Sequence, residues 1–184
     1  CALKELDNVS VSISHTTRLP RPGESDGINY HFISQCEFES MKKESKFLES
    51  AQVHGNYYGT SRDCVEKILL KGGDVVLEID WQGANQVREI FDNCCSIFIL
   101  PPSKDELRRR LIKRGQDEED TIKKRLAAAQ EEMSHYSEAD FIIVNEDFQA
   151  SCGRLKAILE KQCDYNSTKS ADQKLNILLS DLLS

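Results

Sequence analysis

An α/β fold, a parallel sheet wrapped by helices in the doubly wound manner, is predicted by three observations. Four short runs rich in β-branched residues punctuate the chain, at Val9 to Ser14, Val75 to Asp80, Ser96 to Leu100 and Phe141 to Asn145. VVLEI, IFIL and FIIV within the last three are nearly continuously apolar, as strands become when both faces of a parallel sheet are covered. Helical patterns separate the runs. This strand, helix, strand alternation places ligands at the carboxyl ends of the strands. A chain of 184 residues has room for one well-buried core with small lobes attached, so one globular unit is expected.

In order along the chain, CALKEL reads as the tail of an amphipathic helix whose beginning lies before Cys1. The first strand then leads into TTRLPR. From Arg18 to Ser61 the pattern changes: YHFIS, FLESAQV and NYYGTS are short and alternating, around one helix at Glu37 to Glu44, which predicts a small mixed lobe inserted after the first strand. Arg62 to Lys71 carries Val65, Ile68 and Leu69 at helical spacing and stops at Gly72 and Gly73. Further helices are expected at Ala84 to Phe91, Lys104 to Arg114, Glu119 to Tyr136, Phe148 to Cys163 and Ala171 to Leu183. The charge-dense pair of helices around Gly115 reads as a mobile lid. The division is thus a core (1–17, 62–107 and 126–184), a lobe (18–61) and a lid (108–125).

Composition narrows the chemistry. With 24 basic against 31 acidic residues the net charge is −7, so the chain as a whole repels nucleic acid and anionic membranes, and any anion it binds is held by a local basic cluster. Seven cysteines, an odd count without CxxC, read as reduced buried thiols rather than a disulfide or metal framework. His15, His31, His54 and His135 form no HxxxH or HExxH pattern, and no metal site is expected. There is no apolar run of membrane length and no signal peptide, and a cytoplasmic protein is the expectation.

The residue pattern that carries most chemistry is Arg18 and Arg21, three apart around a proline. Two guanidiniums on a short stiff segment can grip one dianionic phosphate through forked hydrogen bonds that lysine does not reproduce. The plain alternative is a solvated turn. Tyr30 and Tyr58 offer phenol donors to the same phosphate, or else half-buried packing in a small sheet. Glu49, in FLES, is a carboxylate able to accept two parallel bonds from the N1–H and N2–H₂ edge of guanine, an edge adenine lacks. Its alternative is a surface glutamate on an edge strand. Arg110 and Arg114, four apart, share a helix face and suit an anion between them, whereas Asp105, Glu106 and the acids at 117–120 supply partners for a solvated ion-pair network.

Taken together, SISHTTRLPRPGE, GINYHF, FLESAQVHGNYYGTS, VVLEIDWQGA, SIFILPPS and IVNEDF resemble, in order, the guanylate kinases, especially the bacterial ones. The resemblance implies a P-loop NTPase-like sheet with a GMP-binding lobe and a lid, and transfer of the γ-phosphoryl of ATP to GMP with Mg²⁺. By position it implies that Arg18, Arg21, Tyr30 and Tyr58 hold the GMP phosphate. Ser14, Glu49, Thr60 and Asp80 then surround the guanine, and Glu78 lies toward the Mg²⁺ and base end. Arg110, Arg114 and Arg125 contact the phosphates during transfer, and Asn145 lies beside the adenine of ATP. The family's glycine-rich phosphate loop has no counterpart between Cys1 and Ser184 and is expected about twenty residues upstream, by ordinary strand and loop lengths. Without that loop the same resemblance implies an inactive GMP-binding or protein-interaction domain.

Overall fold

The computed structural model describes residues 6, 8–114, 119–160 and 173–184, with the Arg114 side chain outside the description. Two compact units result, one formed by Leu3–Cys94 and the other by Cys95–Ser184 with Cys1–Ala2. The helix read from CALKEL, the Gly115 turn and the last three positions of the Phe148 to Cys163 reading lie outside the described residues, and that helix ends earlier, at Leu159 with Glu160 as its cap.

The first unit runs β1 (Val9–Val11), β2 (His15–Thr16), β3 (His31–Phe32), α1 (Gln35–Lys43), β4 (Phe47–Val53), β5 (Asn56–Ser61), α2 (Arg62–Leu69), β6 (Asp74–Val76) and α3 (Trp81–Ile90). β1 and β6 pair in parallel, Val9 opposite Asp74 and Val11 opposite Val76. The run Val9 to Ser14 is therefore not one strand. Its partner β6 ends at Val76, Ser12 N–H makes a last bond to the Val76 carbonyl at 3.0 Å, and the chain crosses into a second sheet of order β3-β2-β5-β4.

That second sheet is built around a tight hairpin. His54 and Gly55 both have positive φ, 49° and 81°, the pair of left-handed residues that a two-residue hairpin turn needs to match strand twist. α1 is capped by Ser34, whose Oγ accepts from Glu37 N–H at 3.2 Å, and it drives Phe38 inward. There Phe38 stacks on Phe47 and Tyr57 at centroid distances of 4.5 and 5.4 Å, closing one face of the sheet. α3 starts three residues before the apolar spacing predicts, because Asp80 Oδ1 accepts from Gly83 N–H at 2.9 Å and caps the helix. Leu48, Val65 and Val87 form the apolar core of this unit.

The second unit contains β7 (Ile97–Leu100), α4 (Lys104–Arg114), α5 (Glu119–Ser134), β8 (Phe141–Val144), α6 (Phe148–Leu159) and α7 (Gln173–Leu183). β7 and β8 pair in parallel, from Ile97 opposite Phe141 to Leu100 opposite Val144. Leu100, Met133, Leu179 and Leu182 pack into one cluster, and Phe141, Ile143 and Ile158 into another. α5 gives way at His135–Glu138 to a 3-10 turn, short of the predicted Tyr136 end. The parallel pairs and their crossover helices make the chain α/β, as expected. Among the described residues no helix is long and apolar enough to cross a membrane.

One expectation fails. Cys36, Cys64 and Cys95 are exposed and Cys94 and Cys152 are half-buried, all as free thiols, while Cys1 and Cys163 lie outside the described residues. On α1 the inward position belongs to Phe38, and a residue two positions away on a helix points to roughly the opposite side.

Candidate functional site

In the first unit the hairpin decides which side chains share a face. Glu49 on β4 sits opposite Thr60 on β5, and Tyr58 sits opposite Thr16 on β2. Since alternate residues of a strand face the same way, Thr60 and Tyr58 lie on one side, with Glu49 and Thr16 beside them. A register shift between Phe47 and Glu49 sends Phe47 to the other face, where its ring crowds Gly59. Polar groups therefore collect on one side of the sheet, together with the Tyr58 ring, and the Phe38, Phe47 and Tyr57 rings stack on the other.

Glu49 is only 3 % exposed, not the surface residue of an edge strand. Thr60 Oγ1 donates to its Oε1 at 2.5 Å. Burial pushes the Glu49 carboxyl up from its ordinary value, and the nearby Asp80 pushes it the same way, against the lowering effect of the Thr60 hydrogen bond. A hydrogen bond from the Thr60 backbone lowers it as well. Asp80, which caps α3, also accepts from Gln82 Nε2 at 3.1 Å. Ser14 is buried just before β2, with its carbonyl taking His31 N–H at 2.9 Å.

Arg18 is held as a fork in its own loop. One amino group donates to Glu24 Oε1 at 2.8 Å and the other to the Leu19 carbonyl at 2.7 Å. The guanidinium lies over the Tyr30 and Phe32 rings, 5.4 and 5.8 Å from their centroids. A hydrogen bond to Glu24 chiefly, and one with Tyr58, hold its pKa above the ordinary arginine value. Tyr30 and Tyr58 meet edge to face at 6.0 Å, and burial raises the Tyr30 phenol pKa. Arg21 is exposed, and its N–H donates to Glu24 Oε2 at 2.7 Å. Glu78 is exposed and near enough to Tyr30 to act on its titration.

Sequence reasoning missed Glu24. Its two oxygens tie Arg18 to the turn at Arg21, and Arg18 in turn holds its carboxyl below the usual range. The signal was available, an acid three residues after Arg21 in RPGE, the spacing at which a side chain accepts the N–H of a turn.

In the second unit Arg110 donates from Nε to Glu106 Oε1 at 2.7 Å and from Nη2 to the Asn145 carbonyl at 2.9 Å. Arg109 forks onto the same Glu106 at 2.6 and 2.7 Å, and Arg109 and then Arg110 bring that carboxyl down to about 2. The ion-pair alternative thus describes Arg109 and Arg110 as they stand. The Asn145 amide oxygen accepts from Ser151 Oγ at 3.2 Å. Arg125 is half-buried and engaged with a partner, and the Arg114 side chain lies outside the description.

Comparison with known proteins gives this geometry a context. The family model described as guanylate kinase matches residues 3–162. The chain belongs to the guanylate kinase family. A guanylate kinase of Alkalilimnicola ehrlichii is 55 % identical over 85 % of this chain and 77 % of its own, and one of Buchnera aphidicola is 54 % identical over 98 % and 86 %. A crystal structure of guanylate kinase from Anaplasma phagocytophilum superposes with a TM-score of 0.75 at 36 % identity, covering 95 % of this chain and 87 % of that one. Membership carries the family activity, nucleoside monophosphate kinase chemistry with ATP as donor and GMP as acceptor. Nothing observed favours the inactive alternative.

Proposed function

We propose that the first unit is where GMP is held, and the observation that carries this is Glu49. A carboxylate 3 % exposed, beside Asp80 and bonded by Thr60, still has acceptor capacity that burial makes costly to leave unused. The N1–H and N2–H₂ edge of guanine supplies two such donors at once. Thr60, Ser14 and Asp80 stand around the same base in this reading. The phosphate is gripped by Arg18 and Arg21 with the phenols of Tyr30 and Tyr58, because a dianion rewards forked, charge-assisted donors most.

We assign Arg110, Arg114 and Arg125 to the phosphates in transfer, and Asn145 to the adenine of ATP. The attacking phosphate oxygen of GMP is already anionic, so the reaction needs no general base, and the task of these arginines is to neutralise charge on the migrating phosphoryl. Among the described residues no three His, Cys, Asp or Glu side chains gather as a metal cage. Mg²⁺ takes most of its ligands from water and nucleotide phosphates and one or two carboxylates from the protein. Glu78 is the carboxylate we place at that end of the site. Bound there, the metal would offset charge on the β- and γ-phosphates. In the same reading residues 18–61 are the GMP-binding lobe, 108–125 the lid and the remainder the core, in a cytoplasmic enzyme whose partners are GMP and ATP rather than nucleic acid or membrane.

The test is conversion of each purine monophosphate to its own diphosphate at the expense of ATP, by the wild-type protein and by Glu49→Gln. The expected result is strong preference for GMP in the first and selective loss of it in the second. Equal losses for GMP and AMP would remove Glu49 from the base.

A further inference from the structure

We propose that Gly83 and Gln86 on α3 form a seat for β4 that fixes the position of the Glu49 carboxylate and thereby sets selectivity for the guanine edge. This inference rests on the assignment of Glu49 to the base. Gly83 and Gln86 are three residues apart on α3 and so share a face, and both meet β4 at the same place.

Gln86 does the work of a missing strand. β4 ends the sheet, and among the described residues no strand lies on its outer side. There the Gln86 side-chain amide accepts the Ser50 N–H at 3.0 Å and donates to the Ser50 carbonyl at 3.1 Å, a two-bond pairing with the backbone of the residue next to Glu49. The amide is itself steadied by donating to the Gln82 carbonyl at 3.2 Å, one turn back. Ser50 is thereby pinned, and the direction in which Glu49 leaves the strand is pinned with it.

Gly83 supplies the space. A Cβ placed on it would lie 2.6 Å from Glu49 Oε2 and 3.2 Å from Glu49 Cδ, closer than such atoms approach. The nearest obstruction falls on the carboxylate end of the Glu49 side chain, with Ile79 Cβ also at 3.2 Å, so an added methyl acts on the carboxylate first. Gly83 also gives its N–H to Asp80. The first two turns of the helix thus carry the Asp80 cap, the bare Cα that admits Glu49 and the amide that clamps its strand.

The experiment compares kcat/KM for GMP with that for IMP, which lacks the 2-amino group, in wild type, Gly83→Ala, Gln86→Ala, Glu49→Gln and the double variant Gly83→Ala with Glu49→Gln. Gly83→Ala is expected to reduce the GMP preference by roughly tenfold or more, the scale of one charged hydrogen bond, chiefly through KM for GMP. Its Tm is expected to hold or rise, since alanine is the better helix former, whereas a purely structural role would leave selectivity alone. In the double variant the methyl should add nothing to the loss from Glu49→Gln. Full selectivity in both Gly83→Ala and Gln86→Ala, alongside loss in Glu49→Gln, overturns the seat and leaves the base assignment standing. Additive losses in the double variant overturn it too. Full selectivity in Glu49→Gln overturns the base assignment and the seat together. Should Gly83→Ala not fold, Gln86→Ala is read against the same outcomes.

Discussion

Glu49 shows at the scale of one residue how a binding demand is written as a stability cost. Its carboxyl titrates above its ordinary value in the folded chain, so folding is unpenalised below the unfolded value near 4.5 and becomes less favourable as the pH rises through the higher folded value. Glu49→Gln should therefore melt no lower than wild type at pH 7 without nucleotide, with the difference shrinking toward pH 4. The same change should raise KM for GMP by about 10- to 100-fold, as expected for one charged hydrogen-bond pair. Thermal melts across pH check the first statement and steady-state kinetics the second. A variant less stable at pH 7 would mean that the carboxylate is satisfied within the protein. Arg21 has an exposed side chain, so Arg21→Lys should leave the Tm in place yet raise KM for GMP several-fold, because a point charge does not replace a fork. Unchanged kinetics would place Arg21 in solvent rather than on the phosphate.

Single elements show what the sequence could and could not say. The β4–β5 hairpin was legible, since FLESAQV and NYYGTS alternate and flank a His-Gly pair suited to positive φ. Lys104 to Arg114 was legible to the residue. The division of Val9 to Ser14 was not, because the run is uniform in composition and ends where its partner ends, a fact about β6. Glu49 gave no local sign of burial either. What covers it is α3, more than thirty positions later, joined by the Ser50 and Gln86 bonds. Arg110 looked like half of a pair with Arg114, and its bond to the Asn145 carbonyl is a tertiary contact that helical spacing does not foretell. Caps are the exception, local and readable. Ser34→Ala should cost about 1 kcal/mol by removing the cap of α1, with kinetics unchanged, since no residue assigned to a substrate lies on that helix. A change in KM for GMP would reveal that α1 matters to the site.

For the whole molecule, the proposed assignment of GMP to the first unit and of adenine to the second, each with its own apolar clusters, predicts a separate footprint for each nucleotide. Amide hydrogen exchange with GMP alone should slow β4, β5 and the first turn of α3, while a non-hydrolysable ATP analogue alone should act around Asn145 and α6. Protection by GMP confined to the second unit would reverse the assignment of the two substrates. GMP at 100 times its Kd should stabilise by about 2.7 kcal/mol and raise the Tm by roughly 5–10 °C for a chain of this length. Glu49→Gln should show little of this rise at the same concentration.

On the proposed assignment of Glu49 to guanine, the register shift between Phe47 and Glu49 makes the identity of the accepted base a matter of counting as well as of chemistry. The extra residue there turns the strand over between a ring that belongs in the aromatic face and an acid that belongs opposite Thr60. A regular ladder running on from Phe47 opposite Ser61 would set Leu48 opposite Thr60 and turn Glu49 toward the face that holds Phe47. On the proposed assignment of Glu49, the extra residue in β4 is what lets a ring and an acid two positions apart serve opposite faces of one strand.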